Sequence, residues 1–311
     1  MRAMRRSANN WIFEMDPYAE VFQIRDNVFA MLTDVADSGG TVWMYLIVGE
    51  ERALLIDTSF GIGDLKSLVQ TLSGGKPIML ANTHPSYDHS FGNCQFEKAY
   101  FHEYAKPKNE AQFHEHMWDY LFNEDGSGKW LNFDRNDIIP FRPYEVEYVP
   151  NGHTFSLGPN HEVELIWLPG HHAGHCAFLD KKERILFAGD VAVAGGNSIG
   201  RGFRQDAVYG QYCTVEALRD EYAKLVTRLD EFDSVCPGHG YIDMPPSVLV
   251  SIYEALNSIL EDPSQYERSS SLKQGSGVEF AMVHRSVPAI NGSIGYTLAG
   301  VYKDVQASAN E

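Results

Sequence analysis

A chain of 311 residues with 44% hydrophobic and 22% charged residues lies close to globular averages, which excludes a mainly disordered polymer and leaves room for one large layered α/β unit. The formal net charge of −17, with no dense basic cluster beyond the opening "MRAMRR", argues against an extended phosphate backbone, so no nucleic-acid partner is expected. No apolar run approaches the ~20 residues of a membrane span, and "SANNWIFEMDPY" is too polar for the core of an export signal; the expectation is a cytoplasmic protein without membrane contact.

Beyond an N-terminal tail of residues 1–20, "VFQIRDNVFAML", "TVWMYLIVG" and "ALLIDTSFG" are rich in β-branched and aromatic residues and predict a β-meander. "GIGDLKSLVQTLSGG" sets Ile62, Leu65, Leu68, Val69 and Leu72 at helical spacing before a glycine stop. The short run "PIMLANTH" predicts a strand ending at a group of histidines, where open α/β sheets hold ligands. Residues 100–150 turn to aromatics, prolines and charges, which reads as an insertion into a domain spanning 21–240. Its first part predicts a helix burying Phe113, Met117, Tyr120 and Leu121, and the part after Gly126 a long loop. Strand patterns return in "HEVELIWLPG", "RILFAGDVAV" and "DSVCPGHG", with a helix predicted over "TVEALRDEYAKLVTRLDEF". Residues 241–311 predict an extension packed on the same domain: a helix over "PPSVLVSIYEALNSILED", a polar linker "SQYERSSSLKQGSG" and a closing hairpin.

Four predicted strand ends carry donors: "THPSYDH" with His84, Asp88 and His89; "PGHHAGH" with His171, His172 and His175; "AGD" with Asp190; "PGHG" with His239. Histidine and carboxylate are the usual ligands of catalytic zinc, and strand ends hold them on rigid supports. The alternative is a set of polar loop residues satisfied by backbone. Cys94, Cys176, Cys213 and Cys236 are too scattered for a C-x-x-C pairing and are expected to be reduced and mostly buried.

These motifs resemble the metallo-β-lactamase superfamily, whose members carry T-H-x-H-x-D-H, then P-G-H, then G-D, then a late G-H. All four occur here in that order over about 160 residues, and "LLIDTSFG" is similar to the family's aspartate-bearing turn with Ser59 where glycine is common. The resemblance covers roughly residues 20 to 240 and implies an α/β fold, a four-layer αββα sandwich. It implies a first metal on His84, His171 and the residue at position 86, and a second on Asp88, His89 and His239, with Asp190 bridging. Position 86 departs from the pattern: Ser86 replaces a histidine, and a hydroxyl is a poor zinc ligand beside imidazole.

The implied cofactor is one or two zinc ions, with iron or manganese as alternatives. The implied chemistry is hydrolysis of a small ester, thioester, lactone or amide by a metal-bound hydroxide, with Asp88 and Asp190 as catalytic residues. The competing class is a non-hydrolytic metalloprotein, a lyase or oxidoreductase, with an altered or single-metal site because of Ser86. Asp57 is expected either behind the metal ligands or as a plain turn former, and His172 and His175 as ligand supports or solvated loop residues. Trp118 and Trp130 belong to an aromatic set that either lines a substrate pocket or forms the insertion's own core, and Tyr209 and Tyr212 are candidate substrate contacts. The partner is a small molecule, and a homo-oligomer is left open.

Overall fold

The computed structural model describes residues 10–35, 41–200, 207–273 and 279–304, so the basic start "MRAMRR" lies outside the described residues. The chain forms two compact units, Met1–Glu164 and Leu165–Glu311.

The first unit is built on one eight-stranded sheet in which every strand pairs with its neighbour in sequence. Strands β1 (Asn10–Phe13), β2 (Asp16–Arg25), β3 (Val28–Thr33), β4 (Val42–Val48) and β5 (Ala53–Ile56) form the expected antiparallel meander, with β1 and β2 beginning inside the segment read as a tail. Helix α1 (Leu65–Leu72) then crosses over to β6 (Ile78–Ala81), parallel to β5. Asp64 caps α1 by accepting the Ser67 N–H at 3.0 Å. The short α2 (Tyr87–Ser90) leads to β7 (Lys98–His102), and α3 (Lys106–Gln112) opens the insertion before β8 (Glu145–Val149) closes the parallel half. A hairpin of β9 (Thr154–Gly158) and β10 (His161–Trp167) follows.

Side-chain alternation assigns the faces of this sheet. Met44, Leu46, Ala53 and Leu55 share a core with Leu65, Leu68 and Val69 of α1, while Trp43, Tyr45, Ile47, Leu54 and Ile56 are buried on the opposite face. Burial on both faces explains why these strands read as continuous apolar runs.

In the second unit β10 is followed by β11 (Cys176–Asp180), β12 (Ile185–Gly189), the two-residue β13 (Asn197–Ser198), α4 (Val215–Leu225), β14 (Ser234–Pro237) and α5 (Ser247–Glu261). Strands β15 (Arg268–Lys273), β16 (Glu279–Val287) and β17 (Gly292–Tyr296) complete it. The main sheet runs β14-β12-β11-β10, with β12 and β14 parallel, and the small one runs β13-β17-β16-β15. One core joins Leu168, Leu179 and Leu186 to Leu218 and Tyr222 of α4, Ile252 and Leu256 of α5, and Val283, Ile294 and Tyr296 of the last strands. The C-terminal segment therefore shares this unit's core.

Two expectations are corrected. The insertion's helix lies earlier, at Lys106–Gln112, with Pro107 in its first turn, and Asp119–Leu121 is only a 3₁₀ turn. The chain leaves helical geometry at Phe113 (φ −82°, ψ 74°), which packs on Phe141 and Tyr144, so Met117, Tyr120 and Leu121 are carried by turns and not by one helical face. The polar linker contains β15, an exposed strand whose backbone pairs with β16 although its sequence lacks an alternating pattern; residues 274–278 lie outside the described residues. None of the four cysteines forms a disulfide, and three of them are buried. Among the described residues no helix is long and apolar enough to cross a membrane.

Asp16, 2% exposed at the β1–β2 turn, is raised to about 7, first by burial and then by nearby Asp64. Its folded value lies above the unfolded value near 4, so the unfolded chain releases the proton first and stability falls as pH rises from about 4 to about 7. Asp16→Asn should therefore raise the melting temperature at pH 8, by up to about 4 kcal/mol of stability, and change it little at pH 4. Thermal melts of both proteins at the two pH values check this.

Candidate metal centre

The first donor set grows out of the parallel β5–β6 pair. Ile56 is paired with Ala81, and one residue further the Asp57 N–H donates to the Ala81 carbonyl at 3.0 Å, which brings Asp57 beside Asn82 and Thr83. Asp57 adopts a left-handed φ of 63° and is 1% exposed, a strained conformation of the kind that concentrates at functional sites. Its Oδ1 accepts the Thr83 N–H at 2.8 Å, and its Oδ2 accepts the Thr83 hydroxyl at 2.8 Å and lies 2.8 Å from Nδ1 of His89. These contacts tie Asp57 to the loop that carries His84 and His89.

The same bonds set two tautomers. A carboxylate only accepts, so the Nδ1 of His89 carries the proton. Thr83 gives its single hydroxyl proton to Asp57, so it accepts at 3.1 Å from Nδ1 of His84. Both rings, 4.3 Å apart between centroids and almost fully buried, thus keep their lone pairs on Nε2. Asp88 is half-buried with Oδ2 3.7 Å from Nε2 of His89. Behind this loop Asn82 donates to the His89 carbonyl at 2.9 Å, Asn93 donates to Asn82 at 2.8 Å, and the Thr58 hydroxyl donates to Asn93 at 2.7 Å. Asn82 and Asn93 carry no sequence signal that separates them from ordinary loop residues.

Ser86 opens α2, where its carbonyl accepts the N–H of Ser90 at 2.9 Å and the Ser90 hydroxyl at 3.0 Å. Its own hydroxyl makes no capping bond.

The second donor set sits in the second unit. Gly189 pairs with Pro237 across the parallel β12–β14 ladder, and the Gly238 N–H donates to the Gly189 carbonyl at 2.9 Å, so Asp190 and His239 emerge side by side. Asp190 Oδ2 is 3.3 Å from Nε2 of His239 and 3.6 Å from Nε2 of His171. His171 Nδ1 donates to the Ser198 carbonyl at 2.8 Å, which again leaves Nε2 as the donor atom.

His175 is different. Its Nδ1 donates to the Leu168 carbonyl at 2.9 Å, and its Nε2 accepts the Asp190 N–H at 2.9 Å. Both nitrogens are occupied by backbone, so this buried histidine fixes the Asp190 loop. His172 accepts the Gly174 N–H at 3.1 Å and stays half-buried. The His171 loop is pinned at Gly170, whose N–H donates to the Tyr212 carbonyl at 2.8 Å and whose φ is +104°. A Cβ there would lie 2.8 Å from that of Leu218. Tyr212 packs edge-on to Trp167 and stacks with Tyr209.

The insertion is anchored on the first donor loop. Trp118, 4% exposed, donates its indole N–H to the Phe60 carbonyl at 2.9 Å and meets Phe91 edge-on at 5.7 Å. It thus anchors the insertion on Phe60 and Phe91. Trp130 is half-buried against the same cluster, which includes Phe60, Phe91, Met117, Leu121, Leu131 and Phe133.

The donor chemistry fits a divalent ion: imidazole nitrogens with preset Nε2 lone pairs beside carboxylates are what zinc takes. A family model of the metallo-beta-lactamase superfamily matches residues 37–261. The chain is 25% identical over 201 residues to an acyl-coenzyme A thioesterase, MBLAC2, of Gallus gallus, a match covering 61% of this chain and 69% of that protein. The Homo sapiens protein of the same name matches at 25% over 189 residues, covering 55% and 65%. The chain thus spans about two thirds of the length of these relatives. A metallo-beta-lactamase from Pontibacter korlensis superposes with a TM-score of 0.53 at 18% identity, over 77% of this chain and 99% of that one. One from Erythrobacter litoralis gives 0.52 at 13%, over 80% and 100%. At such identities the superpositions establish the shared fold.

Asp57→Asn replaces an acceptor-only carboxylate by an amide and removes the constraint on the His89 tautomer. Zinc affinity, measured by competition with a chromogenic chelator, should fall roughly 10- to 100-fold while the far-ultraviolet circular dichroism is retained.

Proposed function

Because the chain belongs to the metallo-β-lactamase superfamily, we propose that it is a metal-dependent hydrolase of thioester or ester bonds in a small-molecule substrate. The observation that carries this reading is the preset Nε2 donors of His84, His89 and His171 together with Asp88 and Asp190. The thioesterase relatives support the thioester end of the range.

In this reading His84, Asp88 and His89 of the first unit and His171, Asp190 and His239 of the second are the residues that would hold metal, zinc being the first choice for nitrogen and oxygen donors. A bound ion of this kind acidifies water and polarises the acyl oxygen. Asp88 orients the attacking water and takes its proton. Asp57 and Thr83 keep the two imidazoles from turning, and His175 holds the Asp190 backbone in place. Ser86 supplies no nitrogen, which would weaken the hold on an ion beside His84.

Hydrolysis of S-acetyl-N-acetylcysteamine and of 4-nitrophenyl acetate should be lost on dialysis against a chelator and return with added zinc. Asp88→Asn should lower kcat about 10²- to 10⁴-fold. A folded, metal-loaded protein inert toward both compounds would favour the non-hydrolytic class, for which Ser86 is the supporting feature.

A further inference from the structure

The first donor loop has one accessible flank. His84 and His89 are almost fully buried, whereas Tyr87, Asp88 and Tyr120 of the insertion are half-buried. Tyr87 lies beside Asp88 in the chain and meets Tyr120 edge-on, with ring centroids 6.2 Å apart at 84°. The Tyr120 phenol is raised above its ordinary range by burial first, then by Tyr87 and by the charge of Asp88.

This flank is held from behind. Tyr87 leans on Phe60 at 5.8 Å and on Phe91 at 6.4 Å, both 2% exposed. Trp118 ties those two together through its bond to the Phe60 carbonyl and its edge contact with Phe91. Lys129 donates from Nζ to the Tyr120 carbonyl at 3.0 Å, fixing the residue that carries the outer ring. Two rings beside a proton-handling carboxylate, backed by a packed core, form a preorganised apolar wall with little ordering cost on binding.

We propose that Tyr87 and Tyr120 form an acyl-group subsite next to Asp88, fitted to an ester or thioester with an aromatic acyl part. The acyl ring packs against the two tyrosine rings in the edge-on and offset arrangements that aromatic groups prefer. Its carbonyl carbon is thereby presented on the Asp88 side of the loop. This deepens, and rests on, the hydrolase reading above, and gives the insertion a function: it carries Tyr120 and, through Trp118, stiffens the base of Tyr87.

The test compares S-phenylacetyl- with S-acetyl-N-acetylcysteamine, which share a leaving group, on the zinc-loaded full chain. The wild type should prefer the phenylacetyl compound by at least about tenfold in kcat/KM. Tyr87→Ala and Tyr120→Ala should bring that ratio close to one, mainly through KM, with zinc content per chain retained. Tyr120→Leu, which keeps apolar bulk without a ring, serves as the second variant should the alanine protein not fold, and should lower the ratio as well. A wild type without the preference, or folded variants that keep it, would overturn the subsite. Saturation-transfer NMR with phenylacetate reads the subsite without turnover. Transfer seen in the wild type and lost in Tyr120→Leu supports it even if neither thioester is cleaved, an outcome that would reject the hydrolase reading alone. Absence of transfer in the wild type overturns the subsite.

Discussion

The carboxylate of Asp57 accepts hydrogen bonds from the Thr83 backbone, the Thr83 hydroxyl and the His89 ring while being almost completely shut off from water. A buried charge is tolerable only when its lone pairs are this well used, and a buried donor without an acceptor would itself cost about 1–3 kcal/mol. The parallel register of β5 and β6 brings Asp57 level with Asn82 and within reach of Thr83, and the left-handed backbone at Asp57 turns the chain there. From that one group follow the proton positions on two imidazoles, and so the atoms they offer to an ion. The second donor set repeats the device with backbone carbonyls: Ser198 orients His171, and Leu168 orients His175, which in turn holds the Asp190 amide.

The insertion depends on the same loop. Its buried aromatics close over Phe60 and Phe91, which lie just after the Asp57 turn and just after His89. Rigidity at the donor loop is therefore supplied from both sides, by hydrogen bonds to Asp57 and by aromatic packing through Trp118. Much of the basic side-chain inventory is spent on nearby carboxylates, as with Lys98 between Glu145 and Glu147 or Arg184 on Asp233.

Much of this was legible in the sequence because strand ends and metal donors leave strong local marks. The β-meander, α1, the strand before His84 and the late helix at Ser247–Glu261 all follow from apolar spacing and glycine stops. The insertion was harder, since its helix stops at Phe113 and Met117 to Leu121 follow in turns, so no single periodicity describes them. Strand β15 escaped because "RSSSLK" has no apolar face; its pairing partner β16 decides its conformation. At the centre, residue types were readable but hydrogen-bond roles were not. Nothing in "PGHHAGH" says that His171 turns Nδ1 to a carbonyl and Nε2 toward Asp190 while His175 gives both nitrogens to the backbone; that depends on which groups the fold brings near.

The most direct test of the account is the metal content of the full chain, by plasma mass spectrometry after zinc loading and gel filtration, beside Asp190→Ala and Ser86→His. The account predicts about one to two ions per natural chain, a clear fall in Asp190→Ala, and a gain of affinity in Ser86→His. A folded natural protein that retains no ion under these conditions would contradict it.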